Sequence, residues 1–167
     1  KKLVPHGLSM PSCHTGLTPD LFDANGKPND LFKQRLDDAS TLGIKYLIHP
    51  YLGDNERNLE FIQKMCKRLN EAGAVAKKRG ITVCYHNHDF EFKNKASDGR
   101  LLYEVLLQET DPMLVKFQMD LYWVCFANYQ PTDWLRLYPD RFRSFHVKDM
   151  AATEKRETGE VGDGTID

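Results

Sequence analysis

Along the chain, stretches with apolar residues at helical spacing alternate with short apolar runs, which predicts strands separated by helices. Apolar residues recur at helical spacing in several stretches, and we predict helices over 30–42, 55–79, 99–109 and 132–138. Asp54 is the predicted N-cap of the second helix. Short apolar runs between the helices predict strands over 44–49, 81–86, 114–120 and 142–149, after a first short strand at 6–10 and with a further start near 161 as an open alternative.

This alternation predicts an α/β fold with a parallel sheet and right-handed crossovers. The strands predicted to begin at 44, 81, 114 and 142 start 37, 33 and 28 residues apart. A (β/α)8 barrel has about 30 residues per unit and about 250 in all. The 167 residues are therefore either a complete open α/β sheet or part of a barrel, and length alone slightly favours the open sheet. No linker interrupts the pattern, so we predict one domain over 1–167.

Composition and charge exclude several classes of protein. The formal net charge is −1 and the pI is about 6.7, so no basic field is present to hold a nucleic-acid backbone. No apolar run approaches the ~20 residues of a membrane span. We expect a cytoplasmic protein, with the periplasm as the alternative if an export signal has been removed. The four cysteines form no CxxC pair, which predicts reduced and mostly buried thiols.

Ionisable side chains collect where the predicted strands end. In parallel α/β folds, functional groups lie at the carboxyl ends of the strands. Imidazole and carboxylate groups that converge from separate strands can hold Zn²⁺, Mn²⁺ or a similar ion. The side chains at these positions are His14, His49, His86, His88, Asp120, His146 and Lys148.

Each of these residues also has a simpler structural interpretation. Asp120 could cap a following helix, and Lys148 with Asp149 could be a solvated ion pair. His49 could simply end its strand, and Trp123 could be a packing residue. Five of the six histidines fall at strand ends or just after them. It is this joint placement that favours a shared polar site.

Four segments resemble the sugar phosphate isomerase/epimerase family, which has a xylose isomerase-like TIM barrel and belongs to the AP endonuclease family 2 superfamily. They are YHNHDFEF at 85–92, MDLYWV at 119–124, FHVKDM at 145–150 and VGDGTID at 161–167. The similarity extends over nearly the whole chain. It implies a partial TIM (β/α)8 barrel that lacks the first and last strands, and it resolves the length conflict in favour of the barrel.

The resemblance implies one divalent metal ion, Mn, Zn, Mg or Co, as cofactor. Asp120 and His146 match the ligands on strands five and six of the family. His86 stands at the strand-four position, where many epimerases have glutamate, and His88 is the alternative ligand there. The fourth ligand of the family, a glutamate on strand eight, has no counterpart in the 167 residues.

The implied activity is that of a metal-dependent isomerase/epimerase, or a lyase (dehydratase), acting on a sugar or keto-sugar. A proton next to a carbonyl would be removed to give a metal-bound enediolate. Replacing glutamate by His86 puts a two-glutamate epimerisation in doubt and is compatible with dehydration. The implied catalytic residues are His86, His88, Glu91 and Lys148, and the implied substrate contacts are His14, His49, Trp123 and Lys148.

Two other functions stay open at this point. A carbohydrate-binding barrel without catalysis would use the same cleft. A phosphodiesterase of the endonuclease IV type needs more metal ligands and a basic surface. The net charge of −1 argues against such a surface. We therefore expect a small-molecule sugar as partner, no nucleic acid and no membrane, with a homodimer as an open alternative.

Overall fold

A five-stranded parallel sheet, flanked by helices, organises the protein in the computed structural model, which describes residues 4–166. The strands pair in sequence order and are β1 (Ser12–His14), β2 (Tyr46–His49), β3 (Thr82–His86), β4 (Val115–Asp120) and β5 (Phe142–His146). The helices are α1 (Asp30–Leu42), α2 (Leu59–Lys77), α3 (Phe90–Lys93), α4 (Leu102–Glu109), α5 (Leu121–Phe126) and α6 (Pro131–Leu137). A small antiparallel hairpin follows, formed by β6 (Asp149–Met150) and β7 (Thr158–Gly159).

Side-chain caps determine where the two long helices begin. The Asn29 side chain accepts the Phe32 backbone N–H at the start of α1, and Gly43, with φ of 79°, ends that helix. The Asn58 side chain accepts the Phe61 N–H in the same way at the start of α2. The predicted start of α2 at 55 with Asp54 as cap is therefore wrong, because Asp54–Glu56 form a separate 3-10 turn.

The two faces of the sheet have different surroundings. Leu47 and Val83 are register partners and belong to the buried core between the sheet and the helices. Ile48 and Cys84 are the next partners along, and side chains alternate between faces, so they lie on the opposite face. This second face corresponds to the barrel interior and carries the residues of the candidate site.

Helix α2 approaches the sheet closely at a glycine. A Cβ atom on Gly73 would lie 2.6 Å from the Leu114 carbonyl oxygen, just before β4. Only a residue without a side chain fits here. The close approach holds α2 directly against the strand that ends in Asp120.

Several predicted boundaries differ from the structure. The first strand lies at Ser12–His14 instead of 6–10, and the Pro11 carbonyl starts its pairing by accepting the Lys45 and Tyr46 N–H groups. The strand predicted over 142–149 ends at His146, and the helix predicted from 99 begins at Leu102.

The further strand expected near 161 does not add to the parallel sheet in the described part of the chain: β7 (Thr158–Gly159) pairs with β6 instead, and the residues after it form a loop around the Asp149 carboxylate. This carboxylate accepts the backbone N–H groups of Met150, Gly162, Gly164 and Ile166. These four donors lower the Asp149 pKa to about 2. Asp149 is therefore not a solvated partner of Lys148.

Cys66 and Cys84 are buried, and burial raises the pKa of each thiol to about 12. Cys13 and Cys125 are half-buried, and all four cysteines are free thiols. Among the helices described, none combines the length and apolar character needed to cross a membrane.

Candidate metal centre

Three ligand-type side chains meet at the carboxyl ends of neighbouring strands. His86 ends β3, Asp120 ends β4 and His146 ends β5, and Asp120 is the register partner of His146. Asp120 Oδ2 lies 3.1 Å from His146 Nδ1 and 3.5 Å from His86 Nε2. One ligand atom from each residue falls within 4.8 Å of the other two. The predicted convergence of these strand ends is present in the structure.

The two carboxylate oxygens of Asp120 face different groups. Oδ1 accepts the Trp123 backbone N–H at 3.2 Å and so caps α5. Oδ2 faces the two imidazoles and lies 2.8 Å from Lys148 Nζ as an ion pair. Asp120 therefore serves both as the helix cap and as a member of the cluster, which sequence reasoning had treated as alternatives.

Two atoms of the cluster lack hydrogen bonds. Asp120 Oδ2 and His146 Nδ1 are buried and find no hydrogen-bond partner among the residues that the structure describes. Oδ2 is ion-paired with Lys148 Nζ, but within the described residues His146 Nδ1 has neither a donor nor an acceptor beyond this carboxylate, and buried polar atoms normally have a hydrogen-bond partner. Two imidazole nitrogens and a carboxylate oxygen are a donor set that suits Zn²⁺, Mn²⁺ or a related divalent ion. The residues present fit such an ion.

The protonation of the imidazoles is compatible with metal binding. Burial lowers the pKa of His86 to about 3. Burial also lowers the pKa of His146, although the Asp120 carboxylate opposes that shift. Both rings are neutral near pH 7, which is the form that coordinates a metal.

Gln118 connects the cluster to a fourth strand. It precedes Asp120 by two positions on β4, so its side chain points to the same face. Gln118 Oε1 lies 2.9 Å from His86 Nδ1 and 2.7 Å from His14 Nε2. Sequence analysis did not select Gln118, although its position two residues before Asp120 was a usable signal.

Aromatic rings form one wall beside the cluster. The His88 ring lies in the loop after β3, with its centroid 5.1 Å from that of His86 and 5.4 Å from that of Trp123. Tyr51 packs edge-on against His88 at 5.0 Å, and Lys148 Nζ lies 5.2 Å from the Trp123 ring centroid. Burial lowers the His88 pKa to about 4, and His88 Nδ1 has no partner in residues 4–166. His88, Trp123 and Lys148 thus lie beside the three ligand-type residues.

Glu91 lies apart from this cluster. It is fully buried, and its two oxygens accept the Tyr85 hydroxyl at 2.7 Å and the His88 backbone N–H at 2.9 Å. Burial raises its pKa to about 7. We therefore assign Glu91 to the support of the His88 loop instead of to direct acid–base chemistry.

His49 also lies elsewhere, and this corrects its selection as a substrate contact. Its register partner is Tyr85, on the helix-covered face, and its ring stacks on Tyr85 with centroids 5.8 Å apart. His49 Nδ1 accepts the Leu17 backbone N–H at 3.0 Å, and burial lowers its pKa to about 4. Strand alternation places the last residue of β2 on the wrong face for the cluster.

A cavity of about 820 Å³ lies beside β5, but it does not contain the candidate centre. Its walls include Phe145 and Val147, which alternate with His146 and so face the other side of the strand. None of His86, Asp120 and His146 lines it. The chemistry of the site therefore lies away from this apolar space.

Comparisons with known proteins agree with this architecture. The family model for the xylose isomerase-like TIM barrel matches residues 2–167. An inosose dehydratase of Lactiplantibacillus plantarum is 30% identical over 125 residues, which are 74% of this chain and 37% of the relative. The chain spans less than half the length of the curated relatives that it matches.

Solved structures share the fold. A sugar phosphate isomerase/epimerase of Parabacteroides distasonis superposes with a TM-score of 0.77 at 28% identity, covering 95% of this chain and 57% of that one. An IolI protein solved with a zinc atom superposes with a TM-score of 0.63 at 14% identity, covering 83% of this chain and 51% of that one. At that identity the second likeness concerns the fold alone.

Proposed function

Since the chain belongs to the xylose isomerase-like TIM barrel family, we propose that it is part of a divalent-metal-dependent enzyme that acts on a small polyhydroxylated ketone. The reaction class is proton abstraction next to the carbonyl, followed by loss of water. The convergence of His86, Asp120 and His146 within 4.8 Å carries the proposal. A keto-sugar or a cyclic keto-polyol is the substrate class.

His86, Asp120 and His146 would hold the ion through the atoms that face one another. A divalent ion bound there would polarise the carbonyl and an adjacent hydroxyl of the substrate as a Lewis acid. The low pKa of His86, about 3, keeps that ring neutral and able to ligate over the physiological range.

His88 would accept the substrate proton, and Lys148 would stabilise the negative charge that forms on oxygen. His88 is a neutral imidazole whose Nδ1 has no partner in the described structure, so it can accept a proton from the substrate carbon. The C–H electron pair then forms the C=C bond of an enolate, with the negative charge on oxygen. The Lys148 ammonium, 2.8 Å from Asp120 Oδ2, is close enough to the cluster to stabilise that charge.

The enolate can then react in two ways. In dehydration, the β-hydroxyl takes up a proton and leaves as water while the enolate electrons form the unsaturated ketone. In isomerisation or epimerisation, a proton returns to carbon and nothing is lost. His14 and Trp123 stand beside the cluster and are the candidate contacts to substrate hydroxyls in both cases.

Two observations favour dehydration. The curated relatives that match the chain are named inosose dehydratases. In addition, the resemblance implies that His86 stands where many epimerases of the family have a metal-bound glutamate, which puts a two-glutamate epimerisation in doubt and is compatible with dehydration. Isomerisation or epimerisation is the second candidate, supported by the name of the Parabacteroides distasonis structure at 28% identity.

The test incubates protein loaded with Mn²⁺ or Zn²⁺ with inosose and with a panel of keto-sugars in D₂O. Solvent deuterium in recovered substrate reports C–H abstraction, and mass loss of one water separates dehydration from isomerisation. His146→Ala should abolish both signals, while His6→Ala, at an exposed position outside the cluster, should change neither. Saturable sugar binding without any exchange would replace the enzyme proposal by a carbohydrate-binding barrel.

A further inference from the structure

Gln118 lies between two histidines and contacts both through one atom. Its side chain is 8% exposed and projects from β4 toward the same face as Asp120. Its Oε1 is 2.7 Å from His14 Nε2 and 2.9 Å from His86 Nδ1. An amide carbonyl oxygen has two lone pairs and only accepts, so each imidazole nitrogen that bonds to it must carry a hydrogen.

This contact determines the tautomer of His86. A neutral imidazole carries one N–H, and a hydrogen on Nδ1 leaves the lone pair on Nε2. Nε2 is the atom that lies 3.5 Å from Asp120 Oδ2 and belongs to the candidate metal cluster. Because the single hydrogen of the ring is on Nδ1, where it bonds to Gln118, Nε2 keeps a free lone pair for the ion.

We propose that Gln118 is a positioning residue that holds His86 as the Nδ1–H tautomer and thereby increases the affinity of the centre for a divalent ion. The inference rests on the metal centre proposed above and adds to it a residue that does not touch the ion. The same oxygen holds His14 as its Nε2–H tautomer and ties β1 to β4 through one side chain. The His14 and His86 ring centroids lie 5.0 Å apart, so Gln118 also fixes their relative placement.

The opposite amide orientation makes the opposite prediction. With the NH₂ group toward the histidines, Gln118 would donate to His86 Nδ1. The hydrogen of His86 would then sit on Nε2 and point toward Asp120 Oδ2, which would block ligation. The tautomer of His86 in metal-free protein therefore distinguishes the two orientations directly.

The experiment records long-range ¹H–¹⁵N correlations of ¹⁵N-histidine-labelled, metal-free protein near pH 7.5, with the His86 signals assigned through a His86→Asn variant. The expected result is a protonated Nδ1 and an unprotonated Nε2. Zn²⁺ affinity is measured in parallel by competition with a chromophoric chelator.

Three variants isolate the role of the acceptor. Gln118→Met has a similar volume and no carbonyl, so we expect mixed His86 tautomers and a Zn²⁺ affinity about 10–100-fold weaker. Gln118→Glu keeps an acceptor and should preserve the Nδ1–H signal and the affinity. Ser144→Ala changes the register neighbour of Gln118 on β5, whose hydroxyl bonds to no described residue, and should leave both readouts unchanged.

A protonated Nε2 on His86 in the parent would overturn the inference, as would parent-like Zn²⁺ affinity in Gln118→Met. If the parent shows the Nδ1–H tautomer, Gln118→Met gives mixed tautomers and neither protein binds Zn²⁺, the metal centre itself fails while the assignment of the tautomer to Gln118 stands. The two proposals therefore fail in distinguishable ways.

Discussion

The Trp123 backbone N–H donates to Asp120 Oδ1 over 3.2 Å, so the residue that ends β4 also caps α5. The other oxygen of the same carboxylate faces His146 Nδ1 at 3.1 Å. The helix cap fixes the rotation of the carboxylate and thereby the direction of Oδ2. A single orientation of the Asp120 side chain therefore caps α5 and directs Oδ2 toward the cluster.

Asp120→Asn should separate these two roles. The amide oxygen can still accept the Trp123 N–H, while the NH₂ group faces the cluster and cannot ligate a metal. We expect Asp120→Asn to exceed Asp120→Ala in unfolding free energy by about 0.5–2 kcal/mol, the usual value of a helix cap. Both variants should lose Zn²⁺ binding. Parent-like Zn²⁺ affinity in Asp120→Asn would rule out Oδ2 as a ligand atom.

Lys148→Met should weaken the metal-free protein and strengthen metal binding. Lys148 Nζ neutralises the fully buried Asp120 carboxylate at 2.8 Å, and removing one partner of a buried ion pair is costly. We expect a loss of about 1–3 kcal/mol in urea unfolding without metal, because Lys148 is partly exposed. Zn²⁺ should restore part of this loss, since the ion then replaces the missing positive charge. Lys148→Arg is the matched control, and an equal loss in Lys148→Arg would contradict the charge argument.

His49 should make the protein less stable in acid. Its folded pKa is about 4, below the ordinary value of about 6.5, so the unfolded chain binds more protons between these two values. The unfolding free energy therefore falls as the pH drops through this window, by about 1.4 kcal/mol per pH unit from this residue. Urea unfolding from pH 7.5 to 4.5 should show a shallower slope for His49→Asn, which keeps an acceptor for the Leu17 N–H. Identical slopes in parent and variant would refute the assignment.

Glu91 should have the opposite pH dependence. Its folded pKa is about 7 and its ordinary value about 4.5, so the folded state binds the extra proton between these two values. The contribution of Glu91 to stability is present below pH 4.5 and is lost as the pH rises toward 7. The unfolding free energy of Glu91→Gln relative to the parent should rise by about 1.4 kcal/mol per unit across this window and level off above it. A difference that stays constant with pH would show that Glu91 titrates normally.

Gly73→Ala should destabilise the protein even though alanine favours a helix. The new methyl group would lie 2.6 Å from the Leu114 carbonyl oxygen and force α2 away from the sheet. We expect a net loss of about 1–3 kcal/mol in thermal or urea unfolding, the usual cost of overpacking. Gly53→Ala is a suitable control, because its Cβ would meet only the Glu56 side chain, at 3.6 Å. Equal stability of the Gly73 variant and the parent would show that α2 can shift freely.

Much of the fold was readable from local signals. The xylose isomerase-like barrel class is confirmed by the parallel strand order and the family match. Helix α1 was predicted at its observed bounds because Asn29 and Gly43 mark its ends. Helix α5 was missed because LYWVCF is apolar throughout and follows β4 without a glycine or proline break. In the structure, Asp120 starts this helix through a side-chain cap.

The sequence likewise predicted one part of the candidate site and not another. Strand ends placed His86, Asp120 and His146 together, since the carboxyl ends of neighbouring parallel strands share one edge. Side chains alternate along a strand, and His49 shares the helix-covered face with Leu47, so a position at the strand end was not sufficient to place His49 in the cluster. The bridge through Gln118 depends on the His14 side chain reaching β4 from β1.

The hydrogen bond from Trp123 to Asp120 gives the candidate centre an intrinsic optical reporter. The Trp123 indole lies 5.2 Å from Lys148 Nζ, and its backbone is fixed to the carboxylate that would meet the ion. Trp134 packs against Phe92 and Tyr103, neither of which belongs to the cluster. Fluorescence emission that changes on titration with Zn²⁺, and that Trp123→Phe abolishes while Trp134→Phe preserves it, would follow occupancy of the centre without any added dye or substrate.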